Sequence, residues 1–168
     1  MRAFRLTCAG LALLLAAACV RPAPKLTVAS AADSAAVTRT FATFDSCART
    51  GAVDVFMSHM TDDVVLLAPE APAVVGKAAV SEYYTKLFGA MEFDVRHTSV
   101  ETFVLGDLVL TRGNASGTAT PRAGGPAMPV SNKYLIVFRR QEDGSLKGWR
   151  TAANSNAPPA PPPPAPKR

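Results

Sequence analysis

Cysteine is scarce, three in 168 residues, and the positions of those three exclude a disulfide framework. Cys8 and Cys19 lie in the leader MRAFRLTCAGLALLLAAAC, which leaves Cys47 as the remaining thiol of the mature chain once that leader is processed, so the core has to hold by packing. Long hydrophobic runs are missing as well. The longest, around LALLLAAA, falls short of the roughly 20 residues a membrane-spanning helix needs. Histidine occurs twice. His59-x-x-Asp62-Asp63 is not a metal-ligand spacing, and His97 has no second ligand near it in sequence, so neither a metal nor another cofactor is expected. Clustered positive charge is absent too. The net charge of +5 includes Arg2, Arg5, Lys167 and Arg168 at the two ends, and within the folded part only Arg139 and Arg140 are adjacent. That distribution gives no phosphate-binding track, and a nucleic-acid partner is not expected. The glycines from Gly113 to Gly125 lead into no helix start and form no phosphate cradle.

What is present begins with the leader. Two arginines, an apolar run and small residues before a cysteine make a secretory signal over residues 1–18. Ala16-Ala17-Ala18 followed by Cys19 resembles a bacterial lipoprotein signal, in which the cysteine is acylated and becomes the first mature residue. Ala16 stands where leucine is commonest, and ordinary cleavage after the alanine triplet is the alternative. Lipidation of Cys19 implies a membrane partner through the anchor and a periplasm-facing place in the cell envelope. Residues 19–32, with two prolines, suit a tether. At the other end, residues 158–168 are dominated by proline, which lacks the N–H needed for a ladder or helix, and form a spacer or tail.

Between them, residues 33–157 hold one domain. Asp33 or Ser34 caps a helix whose Val37, Phe41, Phe44 and Ala48 recur at helical spacing up to Gly51. Val53, Phe56, Met57 and Met60 give a shorter second helix. DVVLLAP is a strand, AVV a short extended piece, and KAAVSEYYTKLFGAM a third helix with Val80, Tyr84, Leu87, Phe88 and Met91 on one face. Strands follow to the end, with Gly106-Asp107 and Asp143-Gly144 as turns. Three helices and then a run of strands predict an α+β fold, with the helices packed on one face of a curved antiparallel sheet.

DDVVLLAP, VVGKAAVSEYY, VLGDLVLTRG and NKYLIVFRRQEDGSLKGWRTAANS, in that order, resemble the nuclear transport factor 2-like superfamily, in particular its SnoaL-like branch and the related domain of unknown function 4440. The resemblance implies a cone-shaped domain whose strongly curved sheet wraps a pocket closed by the helices and, frequently, a homodimer through the outer sheet face. It includes isomerases and cyclases that move a proton next to a carbonyl, and members that only bind. The pattern's acid, three residues before the Asn of the last strand, is Thr151 here, since that Asn is Asn154. The tryptophan usual after the turn is Leu146, with Trp149 three places on.

A two-residue turn at Asp143-Gly144 pairs Phe138 with Trp149, Ile136 with Thr151, Tyr134 with Ala153 and Asn132 with Ser155 on one side of the sheet. That side is either packed core or pocket lining. As lining, Tyr84, Tyr134, Ile136, Trp149 and Thr151 are the ligand-binding candidates, with Tyr134 and Thr151 supplying hydroxyls among apolar walls. Asp45, Glu70 and His59 are the candidate proton-transfer groups. The residues read more simply as a surface carboxylate at Asp45, a rim carboxylate at Glu70, a helix-edge imidazole at His59 and an inert buried thiol at Cys47. The leading expectation is an envelope lipoprotein whose conical domain binds a small apolar or amphipathic molecule without transforming it. The alternatives are an isomerase or cyclase with a relocated acid, and a structural envelope module without a ligand.

Overall fold

The computed structural model of the chain describes residues 23–69 and 71–156. The leader with Cys19, Glu70 and the proline-rich end lie outside the described residues. The elements run β1 (Thr27–Val28), α1 (Ala31–Thr50), α2 (Val53–Ser58), β2 (Met60–Leu67), β3 (Val74–Val75), α3 (Lys77–Ala90), β4 (Met91–Leu105), β5 (Leu108–Pro121), β6 (Met128–Arg140) and β7 (Leu146–Ser155). The seven strands form one curved, unclosed sheet in the order β1-β4-β5-β6-β7-β2-β3, with the three helices packed on it. Neighbours are antiparallel except β2 and β7, which run parallel.

Helix α1 starts one turn earlier than its apolar spacing suggests. Ser30 is the N-cap, its hydroxyl accepting from the Asp33 amide at 3.1 Å, while the Asp33 carboxylate accepts from the Ser30 amide at 3.2 Å. Asp33 is therefore the third residue of a capping box, and neither it nor Ser34 is the cap. The same carboxylate takes a hydrogen bond from Arg140 at 2.5 Å, which pins the helix start to the end of β6. Gly51 closes α1 in the left-handed region at φ 78°. Thr27 and Val28, within the segment read as tether, pair with Val104 and Phe103 as an edge strand.

Met60 does not belong to α2. That helix ends at Ser58, and Met60 opens β2 with only 2% of its surface exposed. The reason lies in β7: the Gly148 amide donates to the His59 carbonyl at 2.8 Å, and a Cβ at Gly148 would sit 2.6 Å from the Met60 sulfur. Glycine makes the close approach that turns the chain from helix into strand. Met91, expected at the end of the third helix, likewise opens β4.

The last hairpin departs from the expected turn. Gln141 to Ser145 form a five-residue loop, closed by the Gln141 amide donating to the Ser145 carbonyl at 2.8 Å. Near the tip Phe138 therefore faces Gly148, and a bulge at Trp149 then restores Ile136 opposite Thr151, Tyr134 opposite Ala153 and Asn132 opposite Ser155. The expected pairing of Phe138 with Trp149 is replaced, and the pairings farther from the tip hold. A second bulge, at Val100, interrupts β4 between Ser99 and Glu101.

The core sits between α1 and the sheet. Val37, Phe41 and Phe44 of α1 meet Val109 of β5 and Phe138 of β6, all at or below 4% exposure. Arg122, just beyond β5, donates to the Phe88 carbonyl at 2.8 Å and the Arg49 carbonyl at 3.0 Å. One guanidinium thus satisfies orphan carbonyls at the C-termini of α3 and α1 together.

Candidate functional site

Helices and sheet enclose a cavity of about 330 Å³ that the core does not fill. Phe44, Phe56, Tyr84 and Phe88 supply aromatic walls from the helices, and Phe93, Val95 and Ile136 supply the sheet side. Among the described lining residues there is no Lys, Arg, Asp or Glu, and the polar groups are His97, Asn132, Tyr134, Thr151 and the phenols of Tyr83 and Tyr84. Burial, and secondarily the neighbouring Tyr83, pushes the Tyr84 phenol well above the usual range.

Of the sequence candidates, Tyr84, Tyr134, Ile136 and Thr151 come together on this cavity. Trp149 does not. As the bulged residue it turns to the outer sheet face, where its indole N–H donates to Asp63 at 2.8 Å and the guanidinium carbons of Arg139 and Arg150 lie 4.5 and 4.1 Å from its ring centre. The indole hydrogen bond is the leading reason that the Asp63 carboxyl is held down at about 2. A depressed folded-state pKa contributes stability that is present above the ordinary carboxylate range and is lost as pH falls through about 2. Trp149→Phe is expected to move the Asp63 titration, followed by NMR, back up toward ordinary values; an unmoved titration would assign the depression to Thr61 and Arg139 instead.

His59 caps the end of α2 and lies 6.2 Å from Phe44, ring centre to ring centre, without lining the cavity. Cys47 is buried, and that burial raises its thiol pKa, as suits an inert packing residue.

The main correction concerns His97 and Asp45. His97 does have a partner: its Nδ1 lies 2.5 Å from Asp45 Oδ1, and its backbone amide donates to Asp45 Oδ2 at 3.2 Å. Asp45 is therefore no surface carboxylate; its side chain is 19% exposed and that of His97 21%. The arrangement follows from two periodicities. Phe41 and Asp45 are four apart on α1 and share a face, while Phe93, Val95 and His97 alternate inward on β4. Phe41 stacks flat on the imidazole, centroids 4.9 Å apart and planes within 5°, and one turn later Asp45 binds the ring nitrogen. An ionised carboxylate can only accept, so Nδ1 carries the hydrogen, and in the neutral form of the ring the lone pair is on Nε2. Tyr134 flanks the imidazole at 5.4 Å, centroid to centroid.

Tyr134 can lie there because of Gly113. Ser99, Gly113 and Tyr134 are lateral partners across β4, β5 and β6, and a Cβ at Gly113 would fall 2.6 Å from the Tyr134 hydroxyl and 2.0 Å from the Thr98 carbonyl. The glycine leaves the lane through which the phenol reaches the next strand.

The fold thus sets one member of an imidazole–carboxylate pair, His97, on the wall of an apolar cavity. The chain belongs to the SnoaL-like domain family, whose pattern it matches over residues 37–149. It is similar to a ketosteroid isomerase-like protein from Erwinia carotovora atroseptica, at 27% identity and a TM-score of 0.65 over 74% of this chain and 94% of that one. It is also similar to a conserved protein from Planctomyces limnophilus, at 25% identity and a TM-score of 0.67 over 74% and 98% of the two chains. An NTF2-like protein of unknown function from Pseudomonas putida shares the fold at 16% identity and a TM-score of 0.60, over 76% and 89%. No curated protein matches the chain.

Proposed function

We propose that the cavity takes a small, uncharged, largely apolar molecule carrying a carbonyl oxygen, and that the Asp45–His97 pair moves a proton at the carbon beside that carbonyl. The observation that carries this reading is the hydrogen bond from Nδ1 of the cavity-lining His97 to Asp45 behind it. Imidazole titrates in the neutral range, and a carboxylate on its far nitrogen fixes the tautomer and steadies the imidazolium formed when Nε2 takes a proton. The electron pair left behind moves onto the carbonyl oxygen, where the Tyr134 hydroxyl is the donor at hand. No group leaves, and return of the proton at another position completes an isomerisation. The lining without formal charges favours an uncharged ligand, since an ion there would be desolvated without a counter-charge.

The test uses β-tetralone, a bicyclic ketone with exchangeable hydrogens beside its carbonyl. Wild-type protein is expected to speed deuterium uptake from heavy water at those carbons, followed by NMR, and His97→Gln to lose the acceleration. Equal exchange with both proteins would remove proton transfer. Binding of β-tetralone without any exchange would favour the second reading, binding without turnover, which rests on Thr151 lining the cavity where the related pattern carries an acid.

We further infer from the leader that the domain is held at the envelope through acylated Cys19. Wild-type protein is expected to label with a fatty-acid probe and partition into detergent, and Cys19→Ser to do neither; equal partitioning would end the lipoprotein reading. Several acyl chains are expected, because one alone gives only reversible attachment at about 0.8 kcal/mol per buried methylene.

A further inference from the structure

A second cavity, a groove of about 420 Å³, lies on the other side of Phe41 and His97, between the first half of α1 and the bulged part of β4. His97 borders both spaces. So does a run of hydroxyls: Tyr134 lines the main cavity, Ser99 and Thr102 line the groove, and Thr111, 1% exposed, sits between them. Thr102 donates to Thr111 at 3.1 Å, Thr111 reaches Ser99 at 3.3 Å and the Glu101 carbonyl at 3.2 Å, and Ser99 stands 3.4 Å from the Tyr134 hydroxyl. A sheet interior needs no such series for packing; apolar side chains of the same volume would serve it.

The backbone is shaped to make the series. Up to Ser99 the odd-numbered residues of β4 face inward; the bulge at Val100 switches the parity, so that Thr102 is the next inward residue and stands opposite Thr111. Ser99 is thereby left at the groove edge, open to solvent, while Gly113 clears the lane along which the buried Tyr134 reaches it.

We infer that Ser99 is a proton-positioning residue: it donates to the phenolic oxygen of Tyr134, so that the tyrosine's own hydrogen is left for the ligand oxygen, and it connects that tyrosine to the solvent of the second groove. The inference rests on the reading that an oxygen-bearing ligand occupies the main cavity. Thr111 has one hydrogen, taken by the Glu101 carbonyl at 3.2 Å or by Ser99 at 3.3 Å, and in either case Ser99 keeps its own hydrogen for Tyr134. Burial raises the Tyr134 pKa, and the Ser99 and Thr111 hydroxyls act in the opposite sense by hydrogen bonding to the phenolate. The O–O separations are long, as such contacts are before a ligand closes on them. If Tyr134 passes its proton to the developing oxyanion, the phenolate oxygen takes the Ser99 proton and Ser99 takes one from groove water, leaving a hydroxide there whose charge balances the imidazolium formed when His97 accepts the ligand's proton.

The test has two arms. Tyrosine labelled at Cζ gives three resonances by NMR, one for each tyrosine in the chain, and Tyr134→Phe assigns the relevant one. Ser99→Ala, at a solvent-open position, is expected to shift the Tyr134 titration upward, Ser99→Thr to restore it, and neither to move Tyr83 or Tyr84. In the second arm β-naphthol, a flat molecule with one hydroxyl oxygen, is expected to bind about tenfold more weakly to Ser99→Ala and to recover with Ser99→Thr. An unmoved Tyr134 titration in Ser99→Ala overturns the inference, whatever β-naphthol does. A shifted titration with no binding of β-naphthol to the wild type upholds the Ser99–Tyr134 link and counts against the ligand reading alone.

Discussion

His97→Gln is expected to slow any proton transfer in the cavity by about 10²–10⁴-fold, the usual contribution of a positioned general base. Glutamine keeps the length and polarity of the side chain but has no basic nitrogen. Asp45→Asn is expected to cost about as much, because the imidazole remains but is held in the wrong tautomer. The carboxamide of that variant can offer an N–H to Nδ1, which would put the hydrogen on Nε2 and remove the ring's basic lone pair there. Since the two residues act as a unit, the double variant is expected to be no slower than His97→Gln alone. Rates of deuterium uptake by β-tetralone measure all three. Additive losses would mean that Asp45 and His97 act independently, and the hydrogen bond between them would then have no part in the chemistry.

Phe41→Ala is expected to lower the unfolding free energy by about 3–5 kcal/mol, a large share of the ~5–15 kcal/mol that holds a domain folded. The ring is 2% exposed and packs against Phe44, Tyr134 and Phe138 as well as His97, so no single neighbour can close the space it leaves. Phe41→Leu is expected to recover much of the stability while still losing the flat stack on the imidazole. That variant therefore separates the two roles of the residue: near-normal denaturation midpoint, reduced proton transfer. Deleting residues 158–168 is expected to leave the midpoint unchanged. A deletion more costly than Phe41→Ala would mean that the domain boundary is drawn in the wrong place.

The order of helices and strands was legible because both hydrophobic periods are clean: Val37, Phe41, Phe44 and Ala48 along α1, and the alternation of β6. Element edges were less so. Ser30 is a stronger cap than Asp33 because Asp33 serves it in return, a reciprocity that shows only when the residue three places back is considered. Met60 carries the helical spacing of Phe56 and Met57, and only contact with distant Gly148 decides that it starts a strand. In the hairpin, Asp143-Gly144 is a strong turn signal, but the signal does not count the residues of the loop around it, and the odd residue had to go somewhere. It went to Trp149, which carried the most conspicuous side chain of the strand to the other face of the sheet.

The same limit explains the site. Asp45 and His97 are 52 residues apart; Asp45 taken alone reads as a surface carboxylate, and His97 has no partner near it in sequence. A signal was nevertheless available: in FDVRHTS, histidine occupies the position where the inward alternation of Phe93 and Val95 calls for another apolar residue. A polar residue on an inward step needs a partner, and the facing helix offers Asp45, beside Phe44. Tyr134 and Thr151 were placed correctly toward the interior because the bulge lies between them and the loop, which is also why a wrong turn did no harm to them.

That compensation gives the hairpin a kind of slack. The five-residue tip and the bulge at Trp149 cancel, so the tip can gain or lose a residue, with the bulge vanishing or widening to match, while Ile136 and Thr151 keep their places on the cavity wall. The distal end of this hairpin is therefore free to drift in length and composition among relatives without disturbing the chamber beneath it. For the engineer it is the natural graft point: a tag or recognition peptide spliced at Asp143-Gly144 would ride on a joint that already absorbs misfit, and the cavity would not feel it.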